Sequence, residues 1–224
     1  MLVLAIDTAL SACSAAVYDA KRGEFLAAES LAMVRGHAEA LLPLVARVMQ
    51  EAQTRFVDLH RIAVTTGPGS FTGLRVGISA ARAIALATGR PAIGVTTLEA
   101  YAAPYLGSGE GTVTVAIDAR HRHVYLQVFA ADGETLVAAR IAGLAEAVAA
   151  AKGAARVIGS GAPLIAAAWP AGDPPPLFDP REAPDIGWVA RLGACAAKSS
   201  TPPKPLYLRA PDARPQHAAW IARR

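Results

Sequence analysis

Cysteine is scarce in this chain: 2 residues in 224, Cys13 and Cys195, with no C-x-x-C pair. That excludes a disulfide framework and a zinc knuckle and makes a reducing cytoplasm the expected compartment. Long apolar runs are missing too. Nothing approaches the roughly 18–20 uncharged residues of a membrane-spanning helix, so no membrane role is expected. No basic residue precedes the first apolar run, Leu2-Val3-Leu4-Ala5-Ile6, and Asp7 ends it early, so it reads as a buried strand and not as a leader. With 53% hydrophobic and 18% charged residues, the composition is that of a globular protein with a sizeable core, in one domain or two small ones. An acidic excess is also absent. The net charge of +4 suits an acidic partner such as RNA, although the basic residues are spread out. They are densest at the end, in Lys198, Lys204, Arg209, Arg214, Arg223 and Arg224, where a solvated basic tail is the plainer explanation.

Three β-type segments open the chain, Leu2 to Asp7, Cys13 to Tyr18 and Phe25 to Leu31, and the turn residues between them indicate an antiparallel meander. Leu41, Leu42, Leu44, Val45, Val48, Met49 and Ala52 then recur at helical spacing. Pro43 lacks a backbone donor, so this helix is expected to begin late or to bend there. A strand from Arg61 to Thr66, a tight loop Gly67-Pro68-Gly69-Ser70 and a helix from Phe71 to Thr88 closed by Gly89 follow. After a strand at Ile93 to Val95, Thr96 or Thr97 caps another helix with Glu99 in its first turn. Near residues 105–112 glycines punctuate the chain. A β-type run, Thr112 to Asp118, then repeats the opening arrangement of strand plus aspartate. Runs at His123 to Phe129 and Glu134 to Ile141, an alanine-rich helix, Val157-Ile158, a six-proline surface loop from Pro170 to Pro184 and a last amphipathic helix around Ile186 to Ala197 complete the pattern.

Asp7-Thr8, echoed by Asp118-Ala119, has the layout of a duplicated ATPase in which each lobe offers an aspartate to phosphate and magnesium. Aspartates at strand ends also simply organise turns. Gly67, Gly69 and Ser70, at the start of a helix, could present backbone N–H groups to an anion. They could equally be a turn whose glycines supply positive φ. The P-loop lysine is missing. Gly73, Gly77 and Ala81 form a smooth strip on the following helix, for which close approach of another helix is the expected reason. No catalytic or metal-binding set emerges. His37 has Leu41 where a second ligand would stand, His121 and His123 lack a third ligand, and Cys13 lies in an apolar strand.

Leu4-Ala5-Ile6-Asp7-Thr8-Ala9, Gly36-His37-Ala38-Glu39-Ala40-Leu41-Leu42-Pro43, Gly67 through Gly77, Gly94-Val95-Thr96-Thr97-Leu98-Glu99, Ala116 to Arg120 and Pro205 to Arg209 together resemble the bacterial TsaB family, formerly YeaZ. The resemblance is dense to about residue 130 and thin afterwards. It implies an α/β fold of the acetate kinase, actin and heat-shock-chaperone (ASKHA) type, with an actin-like lobe at 1–106 and a smaller lobe with a basic tail at 107–224. It further implies a part in forming N6-threonylcarbamoyladenosine beside the anticodon of tRNA. Catalysis would belong to a TsaD-type paralogue, which pairs with this chain through N-terminal-lobe helices, and a TsaE-type ATPase would dock on the pair. The chain would have no cofactor of its own, with ATP at most at the interface, could form a homodimer when alone and would reach tRNA through the complex. Asp7, Thr8, Gly67, Gly69 and Ser70 are the candidates for nucleotide contact. His37, Leu41, Leu44, Val45, Val48, Phe71, Leu74, Arg75, Gly77, Ile78, Ala81 and Arg82 are the candidates for the partner interface, where a charge at Val45 or Ile78 should disrupt pairing. True ATPases of this type carry a glycine-rich turn after the second aspartate. Here Ala119-Arg120-His121-Arg122-His123 stands in its place, which argues against independent ATP use. The competing expectation is an enzyme in its own right, transferring a carbamoyl or phosphoryl group with Asp7 and Asp118 holding a metal nucleotide.

Overall fold

In the computed structural model, which describes residues 1–107, 109, 111–197 and 201–209, the meander at the N-terminus grows into a five-stranded sheet. Strand β1 (Leu2–Asp7) is apolar at every position before its aspartate because it is covered on both faces. Leu4 and Ile6 point to one side, Val3 and Ala5 to the other. It pairs antiparallel with β2 (Ala12–Asp19), which pairs antiparallel with β3 (Glu24–Ala32). On its other edge it runs parallel to β4 (Arg61–Gly67), and β4 runs parallel to β5 (Ala92–Thr96).

Helices α1 (His37–Glu51) and α2 (Phe71–Thr88) cover the Leu4 and Ile6 face. Of the two alternatives expected for Pro43, a late start or a bend, the late start is corrected: α1 begins at His37 and runs through the proline. Pro43 and Glu39, whose carbonyl loses its intrahelical donor, are both exposed, so water can serve that carbonyl. Ser70 caps α2 by accepting from the Gly73 N–H, and Gly89 ends it in the left-handed conformation. Thr96 and Glu99 form a reciprocal capping box at the start of α3 (Thr97–Ala102).

The second half repeats the first. Strands β6 (Val113–Asp118), β7 (His123–Phe129) and β8 (Thr135–Gly143) form an antiparallel meander, and β9 (Arg156–Ile158) and β10 (Leu177–Asp179) add in parallel on the far side of β6. The orders β3-β2-β1-β4-β5 and β8-β7-β6-β9-β10 are one topology used twice. The copy is reduced: α4 (Leu144–Ala151) and α5 (Ala162–Ala167) have 8 and 6 residues where α1 and α2 have 15 and 18. This is the two-lobed, actin-like α/β arrangement with a smaller second lobe. The stretch from Pro170 to Pro184 is not all loop, because Leu177–Asp179 supplies the edge strand β10. Its flanking prolines, Pro176 and Pro180, stand where a ladder needs no further donor.

The last helix, α6 (Ile186–Cys195), returns to the first sheet and packs Ile186, Val189, Ala190 and Ala194 on the Val3 and Ala5 face. Small residues allow the close approach, since a Cβ at Gly193 would strike the Ala63 side chain. Arg61 holds the helix end by donating to the carbonyls of Gly193, Ala194 and Ala196 at 3.1, 2.9 and 2.6 Å. A cut at residues 106/107 therefore separates the two sheets but not their packing. The lobes also share a core in which Leu98, Tyr101 and Ala102 of α3 meet Val113, Val115 and Ile117 of β6.

Candidate functional site

The ends of β1 and β4 bring the Asp7-Thr8 turn against the glycine loop. Asp7 is completely buried. Its Oδ1 accepts from the Thr65 hydroxyl at 2.5 Å and from the Ala9 N–H at 3.0 Å, and its Oδ2 has no partner among the described residues. Burial pushes its carboxyl above the usual carboxylate range, against the lowering effect of those hydrogen bonds. The Thr8 hydroxyl donates to the Gly73 carbonyl at 2.7 Å.

The glycines are mostly matters of space. A Cβ at Gly69 would run into the Ala9 carbonyl, one at Gly73 into the Thr8 carbonyl and one at Gly77 into the Thr8 hydroxyl. The strip on α2 is thus smooth because the Asp7-Thr8 turn crosses it, not because another helix does. Only Gly67 of this set needs positive φ, at +109°, next to a cis Gly67–Pro68 bond. Two donors that an anion would seek are engaged, Ser70 N with the Ala9 carbonyl at 2.7 Å and Gly73 N with Ser70 Oγ.

Between the lobes lies a cleft of about 480 Å³, bordered by Gly69 and Ser70 from the first lobe and Asp118, Arg120 and Ser160 from the second. Of the candidate nucleotide residues, Gly69 and Ser70 line it, while Asp7, Thr8 and Gly67 do not. Asp118 stands at the end of β6, its backbone N–H donating to Ser160 Oγ at 3.1 Å and its Oδ1 accepting from the Arg120 N–H at 2.8 Å.

A strap formed by residues 201–209 closes one side of the cleft. Leu206 N donates to the Thr66 carbonyl at 2.7 Å, at the C-terminal end of β4. Tyr207 packs its ring 5.3 Å from Phe71 and accepts from Arg75 Nε at 3.1 Å, while the Arg75 guanidinium lies 3.7 Å above the Phe71 ring. Arg209 reaches the second lobe, donating to the Ala119 carbonyl at 3.2 Å. In the sequence, Pro205 to Arg209 stands out only as a matching motif and through Arg209 as part of a basic tail. Its bridging role depends on contacts more than 80 residues apart, such as Arg209 with Ala119.

The candidate interface divides sharply. Leu41, Leu44, Val45, Val48, Leu74, Gly77, Ile78 and Ala81 are buried in the chain's own core, so as a free docking surface they are corrected. The physical reason is that a stripe wide enough to dock a partner is also wide enough to cover the Leu4 and Ile6 face of the sheet. His37 is buried too, its Nε2 3.0 Å from the Leu10 carbonyl. Phe71, Arg75 and Arg82 remain exposed, beside two exposed apolar residues absent from the expected set, Leu42 and Leu86. Burial also pushes the Cys13 thiol up to about 11, away from nucleophilic use. No helix among the described residues is long and apolar enough to cross a membrane.

Residues 30–165 match the family model described as TsaD: tRNA N6-adenosine threonylcarbamoyltransferase. The chain is 35% identical over 213 residues to the Mycobacterium tuberculosis protein Rv3421c, covering 95% of this chain and 94% of that one. It is 40% identical over 126 residues to the Escherichia coli tRNA threonylcarbamoyladenosine biosynthesis protein TsaB, covering 56% of this chain and 53% of that one. Among solved structures, YeaZ from Pseudomonas aeruginosa superimposes with a TM-score of 0.75 at 26% identity, over 92% of this chain and 99% of that one.

Proposed function

The chain belongs to the TsaB family, and from that premise we propose that it serves the formation of threonylcarbamoyladenosine in tRNA as a non-catalytic subunit, pairing with and activating a TsaD-type catalytic paralogue. The observation that carries the non-catalytic part is the closure of the Asp7-Thr8 turn. Asp7 is fully buried outside the cleft and the Thr8 hydroxyl is engaged by Gly73, which supports a reading in which neither serves a nucleotide. A metal nucleotide would need that carboxylate ionised and reachable, whereas burial favours its neutral form. The Arg120, His121 and Arg122 side chains, in place of glycines, add bulk where phosphates would approach backbone.

Pairing would use the outer faces of α1 and α2. Leu42 is 60% exposed and Leu86 86% exposed, and Arg82 lies one turn from Leu86. Exposed leucines on neighbouring helices suit a largely apolar contact with a polar rim. A TsaE-type ATPase would dock on the pair, tRNA would reach it through the complex, and the same faces would allow a homodimer when the partner is absent.

Light scattering of the chain mixed with a TsaD-type paralogue tests the pairing. A heterodimer is expected, weakened about tenfold or more by Leu42→Glu or Leu86→Glu, because a new carboxylate must be desolvated in the contact. A heterodimer indifferent to both changes would contradict this surface. The second reading, an enzyme using ATP itself, draws on the cleft lined by Asp118 and Ser160. Calorimetric titration of the isolated chain with magnesium ATP decides between them: saturable binding lost on Asp7→Asn would favour the enzyme.

A further inference from the structure

The hairpin turn between β6 and β7 carries Arg120, His121, Arg122 and His123 in succession, and all four side chains are exposed. Arg120, His121 and Arg122 have φ of +66°, +52° and +59°, three consecutive non-glycine residues in the left-handed region. Side chains with a Cβ rarely adopt that conformation singly, and a run of three is held only where the surroundings over-determine it. Here the Arg120 N–H donates to Asp118, the Ala119 N–H to the His123 carbonyl, and Arg209 to the Ala119 carbonyl. No ion pair among the described residues uses Arg120 or Arg122. Glycine would relieve the strain, yet the turn spends it on displaying basic groups.

Arg120 borders the cleft, where Asp118 and Glu182 share the lining, whereas His121, Arg122 and His123 lie outside it. Arg122, flanked by the exposed His121 and His123, thus faces away from the cleft, and Arg120 stands at its rim. We infer that this turn is a phosphate-contacting site for RNA, through which the chain touches tRNA directly. The identity of the RNA rests on the proposed function. The chemistry, two guanidiniums with no ion-pair partner among the described residues, Arg122 facing outward and Arg120 at the cleft rim, is that of sequence-independent backbone contact.

Such contacts release counterions, so binding should weaken as salt rises, with each lost phosphate contact lowering the slope of log affinity against log salt by about 0.7–0.9. The test is fluorescence anisotropy of labelled tRNA with the full chain across a salt series. The parent is compared with Arg120→Gln/Arg122→Gln and with the control Arg22→Gln in the exposed β2–β3 turn. Circular dichroism checks that each is folded, and Arg122→Gly removes one charge while relaxing the backbone. The expected result is about tenfold weaker binding and a slope lower by one to two for the double variant, an intermediate loss for Arg122→Gly, and no change for Arg22→Gln. Undiminished binding in the double variant, or no binding by the parent, would overturn the inference. So would stoichiometric competition by ATP, which would assign the turn to nucleotide phosphate instead. If threonylcarbamoylation requires the chain but the double variant binds tRNA normally, the inference fails and the proposed function stands. RNA binding through the turn by a chain that proves dispensable for modification would be the reverse.

Discussion

Asp7 keeps the residue type of a motif in a buried setting that opposes the use the motif suggests. The strand-aspartate-threonine pattern is readable in sequence, but whether the carboxylate faces a cleft or a core depends on Thr65 and Ala9 closing over it. Its folded-state pKa lies above the ordinary 3.8, so the native protein holds this proton more tightly than the unfolded chain does. The resulting stability is complete below pH 3.8 and is lost as pH rises through the folded value. Asp7→Asn cannot ionise. Urea melts of parent and variant should therefore diverge in the variant's favour as pH rises from the acid range to neutrality. A stability difference that stays flat with pH would mean that the carboxyl ionises at no cost. The glycines tell a related story: Gly69, Gly73 and Gly77 were readable as special, but the reason, backbone and hydroxyl atoms of residues 8 and 9 lying against them, comes from a partner 60 or more positions away.

At the scale of elements, α2 was legible to its ends because its caps are local: a serine before it and a left-handed glycine after it. The start of α1 was not, because Gly36 offers no side-chain cap and the proline inside is tolerated only on a solvent face that sequence does not mark. Strand β10 and helix α5 escaped notice for want of length, at 3 and 6 residues. The same limit misassigned the apolar stripe. Periodicity identifies which residues of α1 and α2 avoid water, and cannot say whether a sheet of the same chain or another molecule excludes it. Val45→Asp or Ile78→Asp should consequently unfold the chain, by several kcal/mol for a buried unpaired charge, instead of merely separating a dimer. Loss of helical circular dichroism and of soluble yield is the expected outcome. A folded, monomeric variant would return these positions to the interface.

For the whole molecule, the repeated strand-plus-aspartate pattern at Asp7 and Asp118 pointed correctly to two related lobes. What it could not supply was the return of α6 to the first sheet or the strap from Thr66 through Tyr207 to Ala119. Both join residues distant in sequence by contacts that any helix or extended segment could make. These cross-connections tie the reduced lobe to the intact one around a cleft whose first aspartate has been sealed away. That architecture agrees with the proposed role as a binding subunit. The most direct measurement is tRNA threonylcarbamoylation by a TsaD-type paralogue and its accessory enzymes, with this chain added, omitted, or substituted for the paralogue. The account predicts modification only when both proteins are present. Full activity without this chain, or activity from this chain without the paralogue, would contradict it.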